Sequence, residues 1–486
     1  MAPFRSSKKG HLPMFWIVET DFQNSWQEAY AMNLTSTMDA SIQQFASCFT
    51  KPSFQTFRVI VAGWLLCGGR RTVTHILLMG EGLKIKTFSC YHRFFSQARW
   101  TVDSIGRVIV TMALKFIPQD VPIVAAIDDT LNRKTGKRIW AAGMHHDPIL
   151  STGKRCVFSF GHNWVVLSIQ LCFAFAPDKV WSLPILMRLY RRKQQPGRPR
   201  GERKAIGQAR PGEYRTRPQL AIEMIALLAS WLPDRTIRVL GDSEYAGKSI
   251  SRNLPDRVHL TSRMVMNAAL YDQPSKRRKG ERGAPRKKGK RLASPVELAK
   301  SKKVRWTKTR AMLYGRRVRV WYKSCTALWY NSAGRRLLRI VVVRDPSGRR
   351  KDDCFFSTDL SLTAKAILEL FAMRWPLEVA FYNAKQFLGL EDPQNRTPQA
   401  VQRTAPMALY LHTWVILWFA KHGRFNAEAY RRAHPWYTRK RTPSFADMLA
   451  YLTTASLRES ISRYPGQKPP SLKKLLPLFQ ALEVAA

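Results

Sequence analysis

Two rhythms of hydrophobic and polar residues run along this chain, and the change between them falls near residue 115. Over Phe54 to Leu66 and Val102 to Phe116, apolar residues return at three- and four-residue intervals, which predicts amphipathic helices. From Val121 the texture changes. Val121-Pro-Ile-Val-Ala-Ala-Ile127 is a short apolar run ending in Asp128-Asp129-Thr130, which predicts a buried strand with acids at its C-terminal end. Asn163 to Phe175 predicts a second, long strand. Leu220 to Leu232 predicts a helix, and Thr236 to Leu240 a third strand, followed at once by Gly241-Asp242-Ser243-Glu244-Tyr245. This alternation predicts a mixed α/β domain.

Between these elements, residues 189–217 are rich in Arg, Gly, Pro and Gln and predict a loop. After about residue 255 the α/β pattern is interrupted. Lys276 to Arg291 holds ten Lys or Arg against one Glu, a phosphate-seeking loop with Lys276, Arg277, Arg278, Lys279, Arg286, Lys287 and Lys288 as candidate DNA contacts. Strand-like runs follow at Arg317 to Tyr322, Ala327 to Tyr330 and Leu337 to Val343, with Asn331-Ser-Ala-Gly as a turn signal. They predict a small antiparallel sheet inserted into the main domain. The α/β pattern resumes at Cys354 to Thr358, and a helix is expected from Thr363 to Met373. A later helix, Pro398 to Lys421, is expected to kink or restart at Pro406. A last one spans Ser444 to Ser460, after a basic joint at Arg439-Lys440-Arg441.

Composition narrows the partner. The chain has 486 residues, 81 Lys and Arg against 33 Asp and Glu, and a net charge of +48. That excess points to a polyanion, and nucleic acid is the usual one. A membrane-surface protein would gather such charge in one tail or one amphipathic helix, whereas here it runs throughout. Segments mixing cations with aromatics, Arg70 to His75 and Tyr91-His92-Arg93-Phe94-Phe95, suit a DNA-facing surface. The seven cysteines form no Cys-x-x-Cys pair, which argues against a disulfide framework or a zinc site and for reduced, mostly buried thiols. The N-terminus lacks an apolar signal core, and Ala405 to Ala420 is shorter than a membrane span and holds His412. A cytoplasmic, nucleoid-associated protein with no membrane partner is expected.

The densest chemistry lies in Phe371-Ala-Met-Arg-Trp-Pro-Leu-Glu-Val-Ala-Phe-Tyr-Asn-Ala-Lys385. Arg374 precedes Glu378 by four residues, and Lys385 follows Glu378 by seven, nearly two helical turns, so Glu378 and Lys385 share a face. Pro376 suits a first helical turn. Glu378 joins Asp242 and either Asp128 or Asp129 as acids from three segments. Neighbouring strand residues face opposite sides, so only one of Asp128 and Asp129 can belong to the set. Three converging carboxylates repel one another unless a cation neutralises them, and oxygen donors suit Mg²⁺. Two such ions can activate a nucleophile and stabilise a leaving oxygen in phosphoryl displacement.

With these residues in view, the chain resembles DDE transposases of bacterial insertion sequences. Phe371, Arg374, Glu378 and Lys385 match the Tyr-x2-Arg-x3-Glu-x6-Lys motif of the insertion sequence 4 superfamily, with Phe in place of Tyr. Gly241 to Tyr245 and Ile127 to Thr130 resemble its second- and first-acid motifs, and the N-terminal texture is similar to the 701-type branch. The resemblance implies an α/β fold with an RNase H-like core interrupted by a β-rich insertion. Its expected parts are a helical DNA-binding region (1–115), the first part of the core (116–254), the basic loop and insertion (255–350), the second part of the core (351–425) and a helical C-terminal region (426–486). It implies Asp128 (or Asp129), Asp242 and Glu378 holding two Mg²⁺, with Mn²⁺ able to substitute, and Arg374 and Lys385 gripping phosphates. It also implies cut-and-paste strand cleavage and transfer on double-stranded DNA, transposon ends and target alike, by a homodimer assembled on that DNA. Trp306, Trp321 and Trp329 are candidates for stacking on an extruded base. A domesticated nuclease on the same fold and a non-catalytic DNA-binding regulator are the competing readings.

Overall fold

The structure, a computed structural model, describes residues 34–79, 85–136, 138–193, 207–275 and 284–462. Among the described residues, five α-helices precede the first strand: α1 (Ser36–Gln43), α2 (Lys51–Leu66), α3 (Val73–Met79), α4 (Phe88–Ser96) and α5 (Val102–Leu114). Thr35 and Thr101 cap α1 and α5 by accepting from the backbone N–H of Met38 and Ser104. Helical periodicity on α4 turns Tyr91, Phe94 and Phe95 into the core and leaves only His92 and Arg93 of that segment outside. The aromatics expected to face DNA here are therefore packing residues: Phe94 lies 5.0 Å from Trp100 and 5.8 Å from Phe49 between ring centroids.

A mixed sheet follows, built from β1 (Ile123–Arg133), β2 (Gly143–His146), β3 (Phe158–Phe173), β4 (Ala176–Tyr190), β5 (Ile237–Gly241) and β6 (Val258–Arg263). β3 runs antiparallel to β1 and β4 antiparallel to β3, while β5 and β6 continue parallel on the other side of β1. The run β4-β3-β1-β5-β6 is the expected RNase H-like core. Helix α6 (Arg217–Trp231) precedes β5 and starts with a capping box between Thr216 and Gln219. Sequence reading missed β4. Pro184 sits inside it, and the register with β3 shifts there, at the point where a strand can admit a proline.

The interruption contains β7 (Leu270–Tyr271), β8 (Arg291–Leu292), α7 (Pro295–Lys300), β9 (Thr307–Leu313), β10 (Arg316–Leu328) and β11 (Leu337–Arg344). These strands do not form a separate small sheet. Strand β12 (Asp353–Ser357) pairs with both β11 and β6, so one sheet of twelve strands runs from β2 to β8. The three candidate stacking tryptophans are half-buried. Trp306 lies under Lys323 and Arg344, Trp321 lies near Lys308, and Trp329 meets Phe356 edge-on.

Five more helices follow among the described residues: α8 (Ala364–Ala372), α9 (Pro376–Leu388), α10 (Pro398–His422), α11 (Ala427–Ala433) and α12 (Phe445–Ser462). Helix α10 continues through Pro406 without restarting, and its middle, His412 included, is buried. No described helix is long and apolar enough to cross a membrane. The seven cysteines are unpaired. Only Cys67 and Cys354 are buried, and Cys156 and Cys172 are exposed, so the thiols are less hidden than composition led us to expect.

Candidate active site

Parallel pairing places the first two acids. β1 and β5 run in register from Ile123 opposite Ile237 to Ala126 opposite Leu240. Asp128 and Asp242 each lie two residues past that last pair. Equal offset gives equal parity, so both side chains leave the same face of neighbouring strands, whose backbones run about 5 Å apart. The carboxyl of Asp242 accepts from the Glu244 N–H at 2.9 Å, and its carbonyl accepts from Ser262 Oγ at 2.7 Å, which fixes the turn after β5.

Helix α9 brings the third acid. Its C-terminal end is fastened to the end of β1. Lys385 Nζ donates to the Leu131 carbonyl at 2.6 Å and pairs with Glu391 at 3.1 Å, while Lys134 Nζ donates to the Glu391 and Pro393 carbonyls. Gly389, with φ of 62°, closes the helix. A Cβ there would meet Asp392 Oδ2 at 2.4 Å, so the turn needs glycine. At the other end Pro376 opens the helix and Glu378 stands in its first turn.

Arg374 joins the parts. Its guanidinium donates to Asp128 Oδ2 and, through Nη2, to Glu378 Oε1 at 3.0 Å. Burial alone would lower its pKa, but Asp128, Glu378 and Asp242 together raise it, so the fields of all three acids meet on this one cation. Burial above all, with the charges of Asp129 and Asp242, pushes the Asp128 carboxyl up to about 7 against the downward pull of Arg374. Among the described residues, no three acid, histidine or cysteine side chains stand close enough to share one ion. The guanidinium lies between two of the carboxylates.

Asp129 points elsewhere. It accepts from Asn163 Nδ2 at 2.7 Å, Arg217 Nη1 at 3.1 Å and Tyr245 Oη at 3.3 Å. Arg217 also donates to Glu244 at 2.6 Å, so one arginine ties the residue after Asp128 to the turn that carries Asp242. Sequence reading missed Arg217. Its only local signal is a place at the start of a helix, in a chain where arginine is everywhere.

The rest of the expected set is spread out. Phe371 packs on Phe355 with ring centroids 4.6 Å apart, and its buried ring fills the motif's tyrosine position without a hydroxyl. Arg286, Lys287 and Lys288 are described in the insertion, with Lys288 Nζ 3.8 Å from the Tyr271 ring centroid. Lys276, Arg277, Arg278 and Lys279 lie outside the described residues.

Against this geometry, residues 44–320 match the family described as DDE superfamily endonuclease, more than half of the chain. The chain belongs to the DDE superfamily endonuclease family. The match spans Asp128 and Asp242 and stops before Glu378. No curated protein matches the chain. For this DDE endonuclease, membership carries a DNA substrate and a transposase-like cleavage chemistry, and enzymes of the superfamily generally use divalent metal ions.

Proposed function

We propose that this DDE endonuclease is the cut-and-paste transposase of a bacterial insertion sequence, of the insertion sequence 4 superfamily and its 701-type branch. It would cut the element's inverted terminal repeats and join the freed 3′-ends to target DNA. The observation that carries the reading is the single guanidinium of Arg374, bonded to Asp128 and Glu378 and held by the field of Asp242. Two acids from distant segments bond that one cation, and the third acts on it through its field.

Mg²⁺ fits this donor set. All three groups are carboxylates, the two strand-end acids share a face, and Asp128 is buried enough that it must find a counter-charge or a proton. Asp128, Asp242 and Glu378 would hold two ions, and Mn²⁺ could replace them. When bound, such ions supply Lewis-acid stabilisation of the charge that builds on phosphate oxygens. The remaining work belongs to the chain. The Arg217–Asp129–Glu244 network holds the two strand ends in register, and Lys385 holds α9 against β1. Arg374, released from the acids, offers a planar fork to a phosphate of the cleaved strand. The phosphate contact expected of Lys385 requires Nζ to leave Leu131 and Glu391. Handling two element ends at once calls for two copies of the chain on DNA.

The test is a cleavage assay with purified protein, DNA carrying the terminal repeats that flank the gene, and Mg²⁺. Strand breaks at the repeat ends are expected, and joined products with added target DNA. Asp242→Asn or Glu378→Gln should abolish both while leaving end binding intact. Normal cutting by either variant removes the assignment.

A further inference from the structure

We propose that Trp436 and Tyr437, with the arginines around them, form a second nucleic-acid contact: a shelf on which unpaired bases stack, remote from the acids. The shelf lies in the connection between α11 and α12. Trp436 is 71% exposed and Tyr437 50%, a large cost in apolar surface left in water for a chain that buries Trp64, Trp164 and Trp414 almost completely.

The rings are built into place from beneath. His434 stacks on Tyr430 at 4.3 Å with 21° between the planes, and it meets Trp436 edge-on at 5.8 Å. Tyr437 lies 6.2 Å from Trp436. Lys440 closes the bottom, with Nζ 3.9 Å from the Tyr430 ring centroid and 2.6 Å from Asp447. Arg431 donates to the Lys440 carbonyl at 2.8 Å. Lys440 also lies 5.7 Å from the Tyr437 ring centroid, so the inner cation and aromatics hold one side of Tyr437, while the exposed Trp436 ring and the outer side of Tyr437 remain open with little freedom to lose on binding.

Charge decides the partner. Arg424, Arg432, Arg439 and Arg441 are exposed around the shelf, and Glu428 is the exposed acid among them. Lys440 already spends its charge on Asp447. Flat rings interleaved with unspent cations suit a nucleic-acid strand, whose bases offer π-faces and whose phosphates offer charge. A second copy of a chain with net charge +48 would be repelled. Bases in a duplex hide their faces, so the rings select unpaired nucleotides.

Position separates the shelf from the acids. Pro443, at its base, accepts from Lys179 Nζ at 3.2 Å. Lys179 adjoins Val180, which pairs with Cys172 on β3, and Asp128 pairs with Val166 on the same strand. Six residues of strand separate those levels, about 20 Å. The proposal rests on DNA being the substrate, and it does not depend on the assignment of the three acids.

The experiment uses the full chain carrying Asp242→Asn, without metal, titrated into labelled dT20 and into a blunt duplex. Trp436→Ala should weaken dT20 binding about tenfold, inside the range of a stacked base, with the salt dependence unchanged. Trp436→Phe should retain most of the affinity, and duplex binding should move little. Replacing Arg432, Arg439 and Arg441 by Ala should reduce the dT20 salt slope by about 2. If Trp436→Ala binds dT20 like its parent, or if it acts by turning a dimer into a monomer in sedimentation, the shelf is not a base-stacking site. Cleavage by the chain without Asp242→Asn is scored separately: DNA cutting with unchanged dT20 binding removes the shelf alone, whereas weakened dT20 binding in a chain that never cuts removes the transposase alone.

Discussion

Asp128 and Glu378 share one guanidinium. Arg374 donates to both, and this makes it the hinge of the site's electrostatics. Arg374→Ala leaves Asp128 partly buried beside Asp242 with no cation at hand, at a cost of about 1–3 kcal/mol. The sign with pH follows from Asp128. Its carboxyl titrates at about 7 in the folded chain against an ordinary 3.8, so protonation stabilises the fold at low pH and that contribution is lost as pH rises through 7. Without Arg374 the folded value rises further and the loss extends to higher pH. Urea midpoints should therefore separate variant from parent at pH 8.5 and nearly converge at pH 5.5. Equal separation at both values would mean that Asp128 does not feel this arginine.

The two neighbouring aspartates should behave differently. Asp128 faces Arg374, and Asp129 is held by Asn163, Arg217 and Tyr245. Asp128→Asn should lower DNA cleavage by 10³-fold or more, on the scale of losing a group that acts on the reacting charge. Asp129→Asn should cost stability of about 1–3 kcal/mol and cleavage only about tenfold, because its work is to position. Single-turnover cleavage beside thermal melting checks the pair. Normal cutting by Asp128→Asn with none by a well-folded Asp129→Asn would exchange their roles.

Lys385 stands on the face expected for a phosphate contact, and its ammonium is bonded to the Leu131 carbonyl and to Glu391. Lys385→Met keeps the stem and removes both bonds. An unfolding loss of about 1–3 kcal/mol is expected even without DNA. A calorimetric melt that matches the parent would leave phosphate binding as the residue's only work.

How much of this was legible in sequence depended on range. Asp128, Asp242 and Glu378 stood out as candidates because each follows a local pattern, an apolar run for the first two and a proline-started helix for the third, although β1 continues five residues past Asp128 to Arg133. The aromatics of Tyr91 to Phe95 were misread as DNA-facing, although three- and four-residue spacing puts Tyr91, Phe94 and Phe95 on one buried helix face and leaves His92 and Arg93 on the other. What local pattern does not hold is pairing across the chain. The contact of β12 with β6, which merges the insertion into the main sheet, joins Phe355 to Arg263. The salt bridge of Arg217 to Asp129 has the same non-local character. Pro184 hid β4, because a proline tolerated at a register shift looks locally like a strand breaker.

The β9–β10 hairpin carries the last prediction. Its register sets Arg310 directly opposite Arg319, Lys308 opposite Trp321 and Met312 opposite Arg317, so four cations project from one face. The other face packs Ala311 and Val320 against Ile367 and Leu368 of α8. Like charges directly opposite each other destabilise a hairpin, by up to about 1 kcal/mol for a pair, unless an anion lies over them. At the tip, Tyr314 meets Trp375 edge-on at 6.2 Å, one residue before α9, so the basic face borders the helix that carries Glu378. Arg310→Ser and Arg319→Thr should hold or raise the melting temperature of the free protein. Each should weaken duplex binding and reduce the log–log salt slope by about 0.9. Fluorescence anisotropy at four salt concentrations, beside a melt of the same samples, reads both effects. A lowered melting temperature with an unchanged slope would make the two arginines structural and take this face off the path of the DNA.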